Sequence, residues 1–302
     1  MNGFDDLFVK DNEGKDSNQR QFDEKEFDKD AWAEKKKQER ADAYALIDDG
    51  TETIMQDSEV FRDFLNVQAR FDRYSVSNAI LIAHQMPEAT RLADFDGWKN
   101  HDYTIKKGET AITILEPGNE YTKEDGTKAF SVNVKKVFDI TQTVDGKAVN
   151  PKYPEQRKAI KALISSAPCD IVMDSEKAGE KLAVYSPDAD VIYIRQGMDG
   201  NDIFRSLAQE ISVARFAAKD VDRKDCAFYA YCSAYILCER NGFDTGDFNF
   251  DRVPERFKKM DFKAVRNELS AIRDSANNIS HDMTRQFEAM EKANRKRDDA
   301  VR

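Results

Sequence analysis

Residues 71–90 read FDRYSVSNAILIAHQMPEAT, and the change of pattern inside this stretch sets what surrounds it. Ser75 stands just ahead of an apolar run, where a side-chain oxygen accepts from the unpaired amides of a helix start, and Val76 to Gln85 carries the apolar periodicity of that helix. Pro87 ends it, because its ring removes a donor and clashes with the preceding turn. Upstream, Phe61, Phe64, Leu65 and Val67 recur at helical spacing and predict a second amphipathic helix. Downstream, Ala111-Ile112-Thr113-Ile114-Leu115 reads as a strand, Phe130, Val132 and Val134 alternate as another, and Asp125-Gly126 marks the turn between them. Helices joined to an antiparallel hairpin make a first α+β domain over residues 51–147.

Farther out the signals weaken and then return. The first 30 residues carry five basic and ten acidic side chains with only scattered Phe, and are expected to be disordered. From Ala31 to Ile47, charges interleaved with Trp32 and Leu46 predict a surface helix stopped by Asp48-Asp49-Gly50, so residues 1–50 form a leader. Asn150-Pro151-Lys152-Tyr153-Pro154 reads as a linker. Beyond it, residues 155–250 predict a second domain. Its elements are a helix over Glu155–Ser165, a strand over Asp170–Met173, a hairpin from Leu182–Tyr185 to Val191–Ile194, and helices over Asp202–Ala218 and Cys226–Asn241. Residues 251–302 form a charged tail in which Phe262, Val265, Leu269, Ile272, Ile279, Met283, Phe287 and Met290 make an apolar stripe on a long helix. The stripe is expected to pack on its own domain; self-association through it is the alternative. The fold class is α+β in two domains, with a small antiparallel sheet or hairpin in the first and a long C-terminal helix.

Composition bounds the function. The chain has 302 residues, 40% of them hydrophobic, which is enough for about two cores. The start of the chain lacks the charge-then-apolar order of an export signal, and nothing approaches the roughly 20 apolar residues of a membrane span, so a cytoplasmic protein is expected. Cys169, Cys226, Cys232 and Cys238 form no C-x-x-C pair and read as reduced, mostly buried thiols. A net charge of −10 opposes a broad basic footprint, although residues 252–302 carry thirteen basic against nine acidic side chains.

Phe71-Asp72-Arg73-Tyr74-Ser75-Val76-Ser77-Asn78-Ala79-Ile80-Leu81-Ile82, then Gln85-Met86-Pro87-Glu88-Ala89-Thr90, Trp98, Lys106-Lys107-Gly108-Glu109, Ile112, Ile114, Pro117 and Val137-Phe138-Asp139-Ile140-Thr141-Gln142-Thr143, occur in one order. This pattern resembles the N-terminal single-stranded-DNA-binding domain of ArdC-type antirestriction proteins, and it spans nearly all of the first domain. A sequence-tolerant single-strand binder needs flat side chains for the bases and cations for the backbone. Tyr74, Trp98 and Tyr103 are the candidate stacking residues, Arg70, Arg73, Lys99, Lys106 and Lys107 the candidate phosphate contacts, and Asn78 a candidate hydrogen-bonding group for base or phosphate. The competing reading makes the aromatics core residues and the lysines a solvated turn. Residues 51–150 hold twelve basic and sixteen acidic side chains, so a binding groove must be a local patch.

The resemblance implies a second domain like a zinc metallopeptidase of the H-E-x-x-H type, in which two histidines one turn apart hold the metal and the Glu activates water. Here Gln209-Glu210-Ile211-Ser212-Val213 occupies that place, and Tyr231 falls where the next helix would offer a third ligand. His84, His101 and His281 all lie elsewhere in the chain, and Cys226, Cys232 and Cys238, six residues apart, rotate by about 240° per step on a helix and do not converge. No catalytic residue, metal or cofactor is assigned, and Glu210 reads as a charge on an exposed helix face. No G-x-S-x-G or phosphate-loop pattern occurs. The resemblance implies a non-enzymatic, single-stranded-DNA-binding antirestriction accessory protein of a conjugative plasmid, integrative element or phage. Its partners would be single-stranded DNA and proteins of restriction or conjugation. The alternative, from the net charge, is an acidic DNA mimic that inhibits a nuclease without touching DNA.

Overall fold

The computed structural model describes residues 28–301, with the side chains of residues 294 and 296–301 left aside. Most of the expected disordered leader, residues 1–27, lies outside the described residues. Two compact units are distinguished, residues 1–37 and 38–302. Within the first, the Asp28 carboxylate accepts from the amides of Asp30 and Ala31 and so starts the helix α1 (Lys29–Gln56).

α1 does not stop at Gly50. It runs to Gln56, with Thr51 returning a hydroxyl bond to the Ile47 carbonyl at 2.7 Å. α2 (Ser58–Arg70) starts on Asp57, whose carboxylate accepts from Glu59 and Val60, and α3 (Val76–Gln85) starts on Ser75, which accepts from Asn78. A Cβ at Gly50 would meet Ile80 Cγ2 of α3 at 2.7 Å. The glycine is there to let two helices approach, and a side-chain-free position outweighs its poor helix propensity.

The first sheet joins β1 (Leu92–Ala93), β2 (Ile112–Thr122) and β3 (Lys128–Asp139) in the antiparallel order β1-β3-β2, and α4 (Phe95–Asn100) follows β1. The hairpin turns at Gly126, whose φ of +79° suits a residue without Cβ. β2 is an edge strand, and α3 completes it. Asn78 donates to the Leu115 carbonyl at 2.8 Å and accepts the Leu115 amide at 2.7 Å; Gln85 does the same for Thr113, at 3.0 and 2.9 Å. The two carboxamides, seven residues apart on one helix face, stand in for the peptide groups of a missing strand.

In the second half, α5 (Gln156–Ser165), β4 (Asp170–Met173), α6 (Ser175–Ala178), β5 (Ala183–Ser186) and β6 (Val191–Ile194) precede α7 (Gly200–Ala217) and α8 (Arg223–Asn241), which ends on left-handed Gly242. β6 lies between β4, its parallel neighbour, and β5, its antiparallel one. α9 (Val253–Phe257) and α10 (Phe262–Val301) complete an α+β fold with a long C-terminal helix.

The core is continuous across the expected linker at residues 150–154. The Phe61 ring of α2 sits 5.9 Å from Phe228, 5.3 Å from Phe250 and 6.0 Å from Phe257, while Arg240 of α8 donates to the carbonyls of Gln68 and Ala69 at the end of α2. The α10 stripe is consumed internally: Val265, Leu269, Ile272, Ile279 and Met283 are buried, and Phe287 and Met290 pack on the same core. The stripe therefore packs on the chain itself over most of its length, as expected of it, rather than standing open. Cys226, Cys232 and Cys238 are buried free thiols and Cys169 is half-buried. Among the described residues no helix is long and apolar enough to cross a membrane.

Candidate functional site

A groove of about 770 Å³ opens between the start of α3, the β1–α4 junction and the exposed face of the β2–β3 hairpin. Its rim carries three rings: Phe130 of β3 is 61% exposed, Tyr44 of α1 48% exposed, and Tyr74 half-buried, with its phenol pushed up by burial. Arg73 and Lys135 supply the positive charge. Lys135 is shared between Asp94 at 2.9 Å and Glu116 at 3.3 Å, contacts that raise the ammonium and lower the Asp94 carboxyl. The groove thus presents several ring faces but only a thin cationic strip, tempered by two carboxylates.

Of the residues expected at such a site, the structure brings Arg73, Tyr74 and Asn78 to this groove and takes the others elsewhere. Asn78 is 6% exposed with both ends of its amide bonded to Leu115, so it builds the groove wall. Trp98 is a core residue: it is fully buried, its indole N–H donates to the Phe138 carbonyl at 2.9 Å, Arg91 covers one face at 5.5 Å and Tyr103 packs edge-on at 5.4 Å. Trp98, enclosed by protein, has no ring face left for a base in this arrangement, whereas Tyr103 is half-buried and lies outside the groove.

Arg70 donates to the carbonyls of Ala89 and Pro87, clamping the turn after α3. Lys106 donates to the Thr141 carbonyl at 2.7 Å, and Lys99 and Lys107 are exposed outside the groove. The Val137–Thr143 run is architectural too. Buried Asp139 accepts the amides of Thr90 and Arg91 on one oxygen and the amide and hydroxyl of Thr141 on the other, tying the end of β3 to the approach to β1. Sequence reasoning missed Tyr44, Phe130 and Lys135. Phe130 was visible in the β3 alternation, but alternation cannot say whether the apolar side faces a core or an open groove.

A second cavity, of about 500 Å³, lies where α7, α8 and the strand β5 meet. Gln209, Glu210 and Tyr231 line it, whereas Val213 is packed in the core at 2% exposure. Glu210 is buried at 3% exposure, which corrects its expected place on an exposed face. One oxygen accepts the Tyr185 amide at 2.8 Å, and Arg223 grips both: Nη1 reaches Oε1 at 3.1 Å and Nη2 pairs with Oε2. Burial in a charged form becomes tolerable because a bidentate cation and a main-chain donor satisfy the carboxylate.

Tyr231 accepts the Asn249 amide at 2.8 Å, and burial raises its phenol. A zinc-type ion needs three or four converging N, O or S donors. Among the described residues no group of three His, Cys, Asp or Glu side chains converges to hold a metal, and of the carboxylates that line this cavity, Glu180, Glu210 and Asp247, the second faces Arg223 and the third pairs with Arg205. The residues present do not fit a metal.

Residues 44–160 match the family described as the N-terminal domain of anti-restriction factor ArdC. No curated protein matches the chain. Among solved structures, the Mn(II)-bound crystal structure of the antirestriction ArdC protein from the R388 plasmid is similar with a TM-score of 0.55 at 16% identity, covering 80% of this chain and 97% of that one. The metal-free structure of the same protein aligns with a TM-score of 0.49 at 18% identity, covering 70% and 86%. The 0.55 likeness concerns the fold alone; the assignment comes from the matched segment that holds α2, α3, the first sheet and the groove. Residues 44–160 are thus similar to the N-terminal domain of ArdC-type antirestriction factors, a likeness that spans less than half of the chain.

Proposed function

We propose that this protein binds single-stranded DNA in the groove between α3 and the β2–β3 hairpin, as a non-enzymatic antirestriction accessory of a mobile genetic element. The observation that carries the reading is the ArdC-type domain over residues 44–160. The groove supports it chemically. Bases stack on Phe130, Tyr44 and Tyr74 at about 1–3 kcal/mol each, and Arg73 and Lys135 meet the backbone, with exposed Lys99 and Lys107 extending the contact. Asp94 and Glu116 limit the positive potential, so binding is modest and falls with salt. A strand coated in this way is withheld from nucleases that require duplex. The second half, lacking metal ligands at Gln209, Val213 and Tyr231, acts as scaffold and as a surface for restriction or conjugation proteins, without a cofactor.

The test is fluorescence anisotropy of a labelled oligonucleotide, single-stranded and duplex, at two salt concentrations, with Phe130→Ala and Arg73→Ala alongside. Single-strand preference weakened about 5- to 100-fold by Phe130→Ala is expected from the loss of one stacked base. Equal affinity for duplex, or no effect of either substitution, refutes the reading. The net charge of −10 favours a second reading, direct inhibition of a nuclease by an acidic surface. Capture of a purified restriction nuclease in the absence of DNA, with no oligonucleotide binding, is the result that selects it.

A further inference from the structure

We infer that Arg223 replaces a metal ion as the positive charge at the junction of α7, α8 and β5, so that this half of the chain holds its shape with no ion bound. The inference rests on the reading of this segment as a degenerate metallopeptidase site. In an H-E-x-x-H site a dication held by two histidines draws the surrounding elements together. Here the helix offers Gln209 and the buried, apolar Val213 in place of those histidines, yet Glu210 remains at 3% exposure. A buried carboxylate without a partner is strongly destabilising.

Arg223, the first residue of α8, answers that demand from the neighbouring helix with a two-pronged contact. The same carboxylate accepts the Tyr185 amide at 2.8 Å, on the edge of β5 turned away from β6. One Glu thereby ties α7, α8 and a strand edge. A guanidinium suits this role because its planar fork matches both carboxylate oxygens and it keeps its charge at all ordinary pH values. It also closes the site to metal, since its charge repels a dication and both Glu210 oxygens are engaged.

Thermal melts of the full chain test this. EDTA, Zn(II) and Mn(II) are expected to leave the Tm unchanged. Arg223→Met is expected to lower it by about 5–10 °C, and Glu210→Gln/Arg223→Met to recover most of the loss, since the neutral amide still accepts from Tyr185 and leaves no buried charge. If Arg223→Met does not fold, Arg223→Lys, which retains the charge but not the fork, is expected to show a smaller drop. A rise in Tm with either metal, retention of stoichiometric metal after dialysis, or a double variant as unstable as the sum of the single changes overturns the inference. Single-strand affinity, measured on the same variants below their Tm, is expected to match that of the unaltered chain. Failure of the unaltered chain to bind DNA sinks the function proposed above but leaves the Arg223 result standing.

Discussion

Asn78→Ala separates wall from ligand at the groove. The side chain is 6% exposed and makes two bonds to one residue, accepting the Leu115 amide at 2.7 Å and donating to its carbonyl at 2.8 Å. Truncation leaves both main-chain groups of an edge strand unpaired. Each orphaned buried group costs about 1–3 kcal/mol, and because the groove admits water at one side the lower half of the range applies, or roughly 2–4 kcal/mol in total. At about 2–4 °C per kcal/mol for a chain of this size, the melting temperature falls by about 5–15 °C. Gln85→Ala, which removes the matching pair at Thr113, is expected to behave alike, and the double change to approach the sum because the strand positions are separate.

The assay is thermal melting by circular dichroism, paired with single-strand anisotropy well below the transition. Affinity there is expected to stay within about twofold of the unaltered chain, since both ends of the Asn78 amide are bonded to Leu115 and its side chain serves as wall. An unchanged melting temperature with a large loss of affinity refutes the argument, and returns Asn78 to the DNA contacts.

Other outcomes follow from the same packing. Gly50→Ala places a Cβ 2.7 Å from Ile80 Cγ2, so despite the better helix propensity of alanine it is expected to destabilise by about 1–2 kcal/mol, read as a lower midpoint in urea. Trp98→Ala empties a fully buried site and removes the indole donor to the Phe138 carbonyl, for a loss of about 3–5 kcal/mol; any loss of DNA binding is expected to track unfolding and to be restored where the fold is restored. Burial pushes the Cys169 thiol up to about 11 and the Cys238 thiol up to about 12, so the reactive thiolate is scarce at neutral pH. Labelling of native protein with a disulfide reagent is expected to be slow at pH 7 and to rise about tenfold per pH unit toward pH 10, led by half-buried Cys169. Rapid labelling of all four cysteines at pH 7 would contradict the buried placement.

Several elements were legible in the sequence because their causes are local. Ser75 caps α3 through a bond to an amide three residues away, Pro87 acts on the preceding turn, and Gly126 sits at positive φ where a Cβ is disfavoured. The α10 stripe was readable for the same reason, since one helix face repeats every three or four residues whatever covers it. The boundary at Gly50 was misread because a glycine that stops a helix and a glycine that admits a neighbour look identical until the neighbour is known, and here it is Ile80, thirty residues on.

The candidate site divides along the same line. The family likeness was legible over residues 71–143, because the order of many separate elements is a property of the chain, and the match to the ArdC N-terminal domain includes that stretch. Which of those residues meet solvent is settled only by packing. Asn78, Arg70 and Asp139 carry the polar chemistry of a binding site but discharge it on Leu115, on the Pro87–Ala89 turn and on residues 90, 91 and 141, while Phe130, apolar and on a regular strand, stands open in the groove. Glu210 is the sharpest case: the absence of histidine at 209 and 213 is written in the chain, but the burial of this carboxylate, and its pairing with Arg223 on the next helix, exist only once α7, α8 and β5 meet, since Coulombic and hydrogen-bonding partners are chosen by distance in space and not along the sequence.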